Sequence, residues 1–330
     1  MLESMIHYVQ YLCKERAGKM ILGNHRHSVR AGMLLPRGRL LRQAYFKYIA
    51  ALLLFGMNGV VASFISLTSY EIVLLRTFTG SLLLILIFFL TGQKLTFWQN
   101  KRDLACLALS GTAMGASWMF LYEAYQQIGV GIASLAYYCG PVIVMLLAPL
   151  LFQEKLTWPK LAGFAAVLGG VFLVNGKALT EGVFGWGLFC GGMSALMYGV
   201  MVLFNKKAKS IAGLENAMLQ LFVSFLAVAL FVGGKQGFAL EIPGSDWLPI
   251  LVLGLVNTGI GCWFYFSAIG GLPVQTVAVC GYLEPLSAVA FSVLLLGETM
   301  QPLQILGALL ILGGATFGEC AFQRLPKSQK

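Results

Sequence analysis

The sequence predicts an all-α polytopic membrane protein, ten transmembrane helices in two inverted five-helix repeats, from three observations: composition, an internal repeat and the placement of charge. Hydrophobic residues make up 58% of the 330 residues and charged residues only 11%, with a mean hydropathy of +0.80. A soluble domain carries about a quarter charged residues, so a water-soluble fold is excluded. From Tyr138 to Gly170 the chain matches its own continuation 144 residues on, without a gap over 33 positions. Nine of these positions are identical, among them Tyr138/Tyr282, Pro141/Pro285, Glu154/Glu298, Gly163/Gly307, Gly169/Gly313 and Gly170/Gly314. Pro, Glu and Gly punctuate structure, and their agreement does not follow from an apolar composition alone.

Apolar runs long enough to cross about 30 Å of hydrocarbon fall at residues 45–64, 72–91, 104–123, 132–152, 158–174, 185–204, 215–233, 247–268, 274–296 and 301–318. Span one carries Asn58, a hydrogen-bonding group on an apolar wall. Span two holds Arg76 about a turn and a half from its outer end, near Glu71 and Glu123, where an arginine more often snorkels or locks helices together than binds substrate. Span three contributes the small-residue run GTAMG from Gly111, which permits close helix approach, and Trp118, Tyr122 and Glu123. Trp118 and Tyr122 suit either ligand stacking or anchoring at the membrane interface. Span four brings Tyr137, Tyr138 and Pro141, and span five ends in the Gly169–Gly170 pair. Span six has Gly187 and Gly191 for packing, with Tyr198 and Asn205 as polar groups. Span eight carries Asn257. Span nine holds Tyr282 and, near its middle, Glu284 immediately before Pro285; the proline removes a backbone donor and frees a carbonyl near Gly281. Glu154 and Glu298 precede spans five and ten, where a carboxylate meets the positive end of a helix dipole; both read as helix-capping or gate-fixing charges.

With alternate connections assigned to opposite sides, 20 of the 23 Lys and Arg residues flank one side, against Lys177 and Lys235 on the other and Arg76 inside span two. The positive-inside bias then makes both termini cytoplasmic, in a multi-pass protein of the cell membrane. The net charge of +10 is a topology signal and not a nucleic-acid signal, since it sits in membrane-flanking loops without a recognition motif. The chain divides into a basic, poorly ordered cytoplasmic segment (1–44), a first repeat (45–176), a second repeat (177–320) and a cytoplasmic tail (321–330). Five spans per repeat is an odd number, so the second copy is upside down relative to the first.

Enzyme chemistry finds little support. The seven cysteines fall singly, with no CxxC pair, and His7, His25 and His27 lack Cys or carboxylate partners at ligand spacing, so neither a metal nor another cofactor is expected. No GxSxG surrounds Ser117 or Ser194, no HExxH occurs, and GVFLVNGKA near Lys177 misses a phosphate loop in both its spacing and Ala178. Without a nucleotide domain, transport would run on a gradient.

Inverted halves share an axis in the membrane plane, and rocking one against the other opens a midplane site to either side in turn. Glu284 is the sequence's coupling or substrate-binding candidate, because a carboxylate at the bilayer centre costs about 2.5–3.5 kcal/mol and is a functional hypothesis by default. Its repeat-mate is Gly140, so the acid is present in one half only; a hydrogen-bonded packing role is the alternative. Asn58, Trp118, Tyr122, Tyr137, Tyr138, Tyr198, Asn257 and Tyr282 are the cavity-lining candidates, and Pro141 and Pro285 the helix breaks. Arg76, Glu123, Glu154 and Glu298 are structural charges. The partners implied are a small-molecule substrate, the lipid bilayer and a coupling proton; a homodimer stays open.

The stretches GPVIVMLLAPLLFQEKLTWPKLAGFAAVLGGVFLV and YLEPLSAVAFSVLLLGETMQPLQILGALLILGGATF resemble the repeated EamA-type unit of the drug/metabolite transporter superfamily. FGMNGVVAS and LLRTFTGSLLLIL are similar to its opening helices, so the likeness covers roughly residues 45–320. The resemblance implies ten helices, inward termini, a cavity between the halves and proton-linked export of amino acids or other metabolites. The expected function is therefore a secondary active transporter working by alternating access, with a passive channel or facilitator as the alternative. Cysteines placed after Lys177 and after Lys235 are expected to react with an impermeant thiol reagent added outside, and one beside Lys207 is not; the reverse pattern overturns the orientation.

Overall fold

The computed structural model describes residues 37–137, 139–141, 143–144, 147, 158, 161–163, 165–170, 173, 185–235, 237–238, 240–269, 271–272, 277, 280–281 and 283–323. Among these residues the first named helices are α1 (Arg37–Gly56), α2 (Asn58–Ala62), α3 (Ser69–Leu90), α4 (Lys101–Ile128), α5 (Val130–Tyr137), α6 (Trp186–Lys207) and α7 (Gly213–Lys235). There follows a continuous rod of α8 (Trp247–Leu251), a π-helical segment (Val252–Ile260) and α9 (Gly261–Ile269), and then α10 (Leu283–Leu296) and α11 (Pro302–Gln323). Polar residues at the loop boundaries set where these helices start. Thr68 and Glu71 form a reciprocal cap on α3, Thr68 N–H donating to Glu71 Oε2 at 2.9 Å and Glu71 N–H to Thr68 Oγ1 at 3.4 Å. Asn100 Oδ1 accepts from the backbone N–H groups of Arg102 and Asp103 at 3.1 and 3.2 Å to start α4. Gly129, at φ +77°, lets the chain turn from α4 straight into α5.

Among the described residues six helices are long and apolar enough to span a membrane: Leu41–Ala62, Ser69–Leu90, Lys101–Ile128, Trp186–Lys207, Gly213–Lys235 and Gly244–Ile269. The expected ten are therefore reached only in part among the described residues. The expected spans at 158–174, 274–296 and 301–318 hold shorter apolar helical segments, Leu161–Gly170, Leu286–Leu296 within α10 and Ile305–Gly314 within α11. Much of the expected span at 132–152, and Lys177 with its loop, lie outside the described residues. Large apolar side chains such as Leu82, Leu86, Phe89, Leu230, Leu294 and Leu309 lie exposed along these helices. On a soluble protein so much exposed apolar surface would be a liability, whereas in a bilayer it is the lipid contact.

The two halves of the sequence fold to one plan. α3 and α7 start at Ser69 and Gly213, the same 144-residue separation as the sequence repeat. α4 lies along α6, and in the mirrored role α9 lies along α1; α5 packs on α6 as α10 packs on α1. Loop contacts are reciprocal too. Ser66 donates from its backbone N–H and its hydroxyl to Asp246 Oδ2, both at 2.7 Å, and Ser210, 144 residues on, donates its N–H to Asp103 Oδ2 at 2.7 Å.

Lipid removes the hydrophobic drive for helices to associate, so close packing holds them instead. The repeated glycines supply it. A Cβ on Gly170 would sit 2.5 Å from the Gly307 carbonyl, and one on Gly314 would sit 2.8 Å from the Gly163 carbonyl, whereas one on Gly169 would meet nothing within 4 Å among the described residues. Gly314→Leu is accordingly expected to destabilise the purified protein by about 1–3 kcal/mol, read as a lower thermal midpoint in detergent. Gly169→Leu serves as the control, expected to shift the midpoint less.

Candidate functional site

A partly enclosed cavity lies where the two halves meet. Phe55 of α1 and Asn58 of α2 form one wall; Met114, Ser117, Trp118 and Leu121 of α4 another. Tyr137 of α5, Tyr198 and Met201 of α6, Cys262, Tyr265 and Phe266 of α9, and Glu284 of α10 complete it. The tyrosines form a continuous band across the halves. Tyr137 meets Tyr198 edge to face at 5.3 Å, the Tyr198 and Tyr265 hydroxyls approach to 3.5 Å, and the Tyr265 ring lies 5.5 Å from Tyr48 and 5.8 Å from Phe55.

Glu284 stands in the first turn of α10, one residue before Pro285. Residues 280 and 281 are helical as well, so Pro285, like Pro141, stands in helical backbone. The backbone at this point is pressed against α1: a Cβ on Gly56 would lie 3.0 Å from the Glu284 carbonyl. Tyr48 of α1 adds a hydrogen bond to the Val277 carbonyl at 2.7 Å. The Glu284 carboxylate makes no hydrogen bond among the described residues and faces the cavity. In the other half Gly140 occupies the matching place, and a Cβ there would lie 2.7 Å from the Tyr198 ring. Pro141 lies in helical backbone.

Arg76 is buried in the bundle, at 1% exposure. Its Nε donates to Thr258 Oγ1 at 2.8 Å, Nη1 donates to the Tyr122 hydroxyl, and Nη2 has no partner among the described residues. The guanidinium lies 4.2 Å over the Trp118 ring and 4.9 Å over that of Tyr122, in cation–π geometry. Its neighbours explain how it reaches Thr258. A Cβ on Gly80 would meet the Gly254 carbonyl and Thr258 Cγ2, each at 3.0 Å, so α3 and the π-helical segment touch backbone to backbone. The wider π turn aims Thr258, whose hydroxyl donates to the Leu253 carbonyl at 2.7 Å while accepting from Arg76.

The remaining sequence candidates fall into three groups. Asn58, Trp118, Tyr137 and Tyr198 line the cavity with Glu284. Tyr122 and Asn257 are buried outside its lining, Tyr122 on Arg76 and Asn257 with its Nδ2 unpaired. Tyr138, Tyr282 and Glu154 lie outside the described residues. The other acids tie loops and helix ends. Glu123 accepts from Ser69 Oγ at 2.5 Å, Trp186 Nε1 at 3.1 Å and Gln127 Nε2 at 3.2 Å, joining α3, α4 and α6. Glu298 accepts from the Val130 N–H at 3.2 Å, at the start of α5 in the other half. Asn205 turns away from the cavity into a buried amide cluster with Asn216 and Gln220, which in turn reaches Ser110.

A helical bundle with lipid-facing flanks, a two-fold repeated plan and an aromatic cavity between its halves defines a multi-pass membrane transporter. The sequence signature of the EamA-like transporter family matches residues 42–176 and again residues 185–317, and the chain belongs to that family. It is 24% identical over 275 residues to the uncharacterized transporter YxxF of Bacillus subtilis, covering 82% of this chain and 88% of that one. A probable terminal-alkyne amino-acid exporter of Streptantibioticus cattleyicolor is 29% identical over 220 residues, 65% of this chain and 73% of that one. A probable amino-acid metabolite efflux pump of Escherichia coli is 26% identical over 212 residues, 60% and 71% of the two chains. One solved crystal structure shares the fold at a TM-score of 0.66 and 17% identity, over 85% of this chain and 99% of that one.

The Arg76 contacts carry a measurable stability. Thr258→Val and Tyr122→Phe each leave one more guanidinium N–H unpaired and are expected to cost about 1–3 kcal/mol. The double variant is expected to cost less than the sum, because both act on one group. Additive losses in thermal midpoint would show that the two contacts are independent.

Proposed function

We propose that the chain is a secondary active transporter that exports small metabolites such as amino acids by alternating access, coupled to protons through Glu284. The observation that carries this reading is the Glu284 carboxylate, unpaired among the described residues and facing a cavity to which both halves contribute. Two relatives' names point to amino-acid substrates. In this reading the full protein has ten helices in two inverted repeats, 45–176 and 177–320, lying in the cell membrane with both termini cytoplasmic. The mirrored helix pairings and the reciprocal Ser66–Asp246 and Ser210–Asp103 links support the inversion.

Glu284 would take a proton from one side when the cavity opens to it and release it to the other after the halves rock. The tyrosine band and Asn58 would supply the wall on which a small amphipathic solute rests. Because the acid occurs in one half only, each cycle would carry one coupling group past the axis.

The test is Glu284→Gln in proteoliposomes loaded with a labelled amino-acid mixture. The variant keeps the side chain's shape and fixes it neutral. Transport driven by a pH gradient is expected to fall to background, while exchange between equilibrated compartments continues. Wild-type pH-driven flux in the variant removes Glu284 as the coupling group, and non-saturating conductance in the wild type replaces the carrier with a passive pore.

A further inference from the structure

We infer that Arg76 is the subsite for a carboxylate on the transported metabolite, which makes the substrate class small carboxylates, including zwitterionic amino acids. The inference rests on the transporter reading and adds the chemistry of the ligand to it. A guanidinium has five N–H donors arranged to match a carboxylate in a two-point contact. In Arg76 one is committed to Thr258 and one to Tyr122, and Nη2 is left without a partner among the described residues. No carboxylate among the described residues hydrogen-bonds to it: Glu123 is engaged by Ser69 and Trp186, Glu71 accepts from Thr68 at the helix end, and Glu284 of the cavity acts on it only through its charge. A charge this deeply buried is strongly disfavoured until an anion meets it.

The geometry around it separates an anion site from a mere helix lock. A lock would use its full fork on neighbouring helices, yet Nη2 is left over. The ring stacked on the guanidinium belongs to Trp118, a wall residue of the same cavity that holds Glu284. Trp118 therefore lies between the cation and the solute, and turning its indole aside would open the guanidinium to the cavity. An amino acid would then find a cation for its carboxylate, with the aromatic rings of the cavity wall beside it for the side chain. Asn58, whose Oδ1 is also buried and unpaired, adds a hydrogen-bond group to the same wall.

The test compares ligand-induced thermal stabilisation of the purified full chain by matched probes: apolar L-amino acids, their primary amides and the corresponding amines. Carboxylates are expected to stabilise the wild type and the amides and amines are not. Arg76→Lys keeps the charge without the fork and is expected to bind the carboxylates about ten- to a hundred-fold more weakly, still preferring them to amides. Arg76→Gln is expected to lose the preference altogether; should it fail to fold, the lysine variant and the wild-type probe series decide. Equal stabilisation by amides, no stabilisation by any carboxylate, or an equal effect of chloride or phosphate overturns the proposal. Arg76-dependent carboxylate binding without gradient-driven flux would retain the site and reject the transport mechanism.

Discussion

A guanidinium cannot rest in hydrocarbon unless nearly all of its N–H groups and its charge are met by something, and much of the centre of this bundle is arranged around that demand. Arg76 projects from α3 toward Thr258, which is in reach because Gly80 and Gly254 let two helices close to backbone contact. The π-helical segment sets the Thr258 hydroxyl at the needed angle, and Tyr122 and Trp118 of α4 supply a hydroxyl and a ring face. Helices from both halves are thus fixed to one side chain. The cavity inherits its shape from this junction, since Trp118 belongs to both.

The two halves share a plan but not a chemistry. At the place where α10 offers Glu284, the first half offers Gly140, and the Tyr198 ring fills the space a side chain would have used. The shared plan supplies the frame, and positions where the copies differ, Glu284 against Gly140 among them, supply the charge. The aromatic band from Tyr137 to Tyr48 crosses from one half to the other, so its rings feel any movement between them.

Periodic and punctuating residues were legible in the sequence: apolar runs for the helices, the Pro, Glu and Gly matches for the repeat, Glu284 as the acid that faces the cavity. What stayed hidden depends on helix rotation and on contacts between distant segments. Tyr122 and Asn257 read as cavity wall because they are polar groups in apolar spans, yet both stand outside the lining. Arg76 reads as a neighbour of Glu71 and Glu123 by distance along the helices, but its hydrogen bonds go to Thr258 and Tyr122. The Ser66–Asp246 and Ser210–Asp103 links lie outside the 33 matched positions; their one sequence trace is a serine recurring after 144 residues. The π-helical turn has no signature in composition at all.

The glycine contacts run crosswise, Gly170 against residue 307 and Gly314 against residue 163. Each copy of the ancestral unit is therefore part of the mould for the other. A larger residue accepted at one of these positions needs a compensating change in the opposite copy, so after duplication the two units could drift apart only in concert here. At Gly140 and Glu284 the neighbours also lie in the opposite copy, Tyr198 of α6 and Gly56 of α1. Divergence of the two copies is thus constrained across their interface, at the cavity as well as at the crossing glycines.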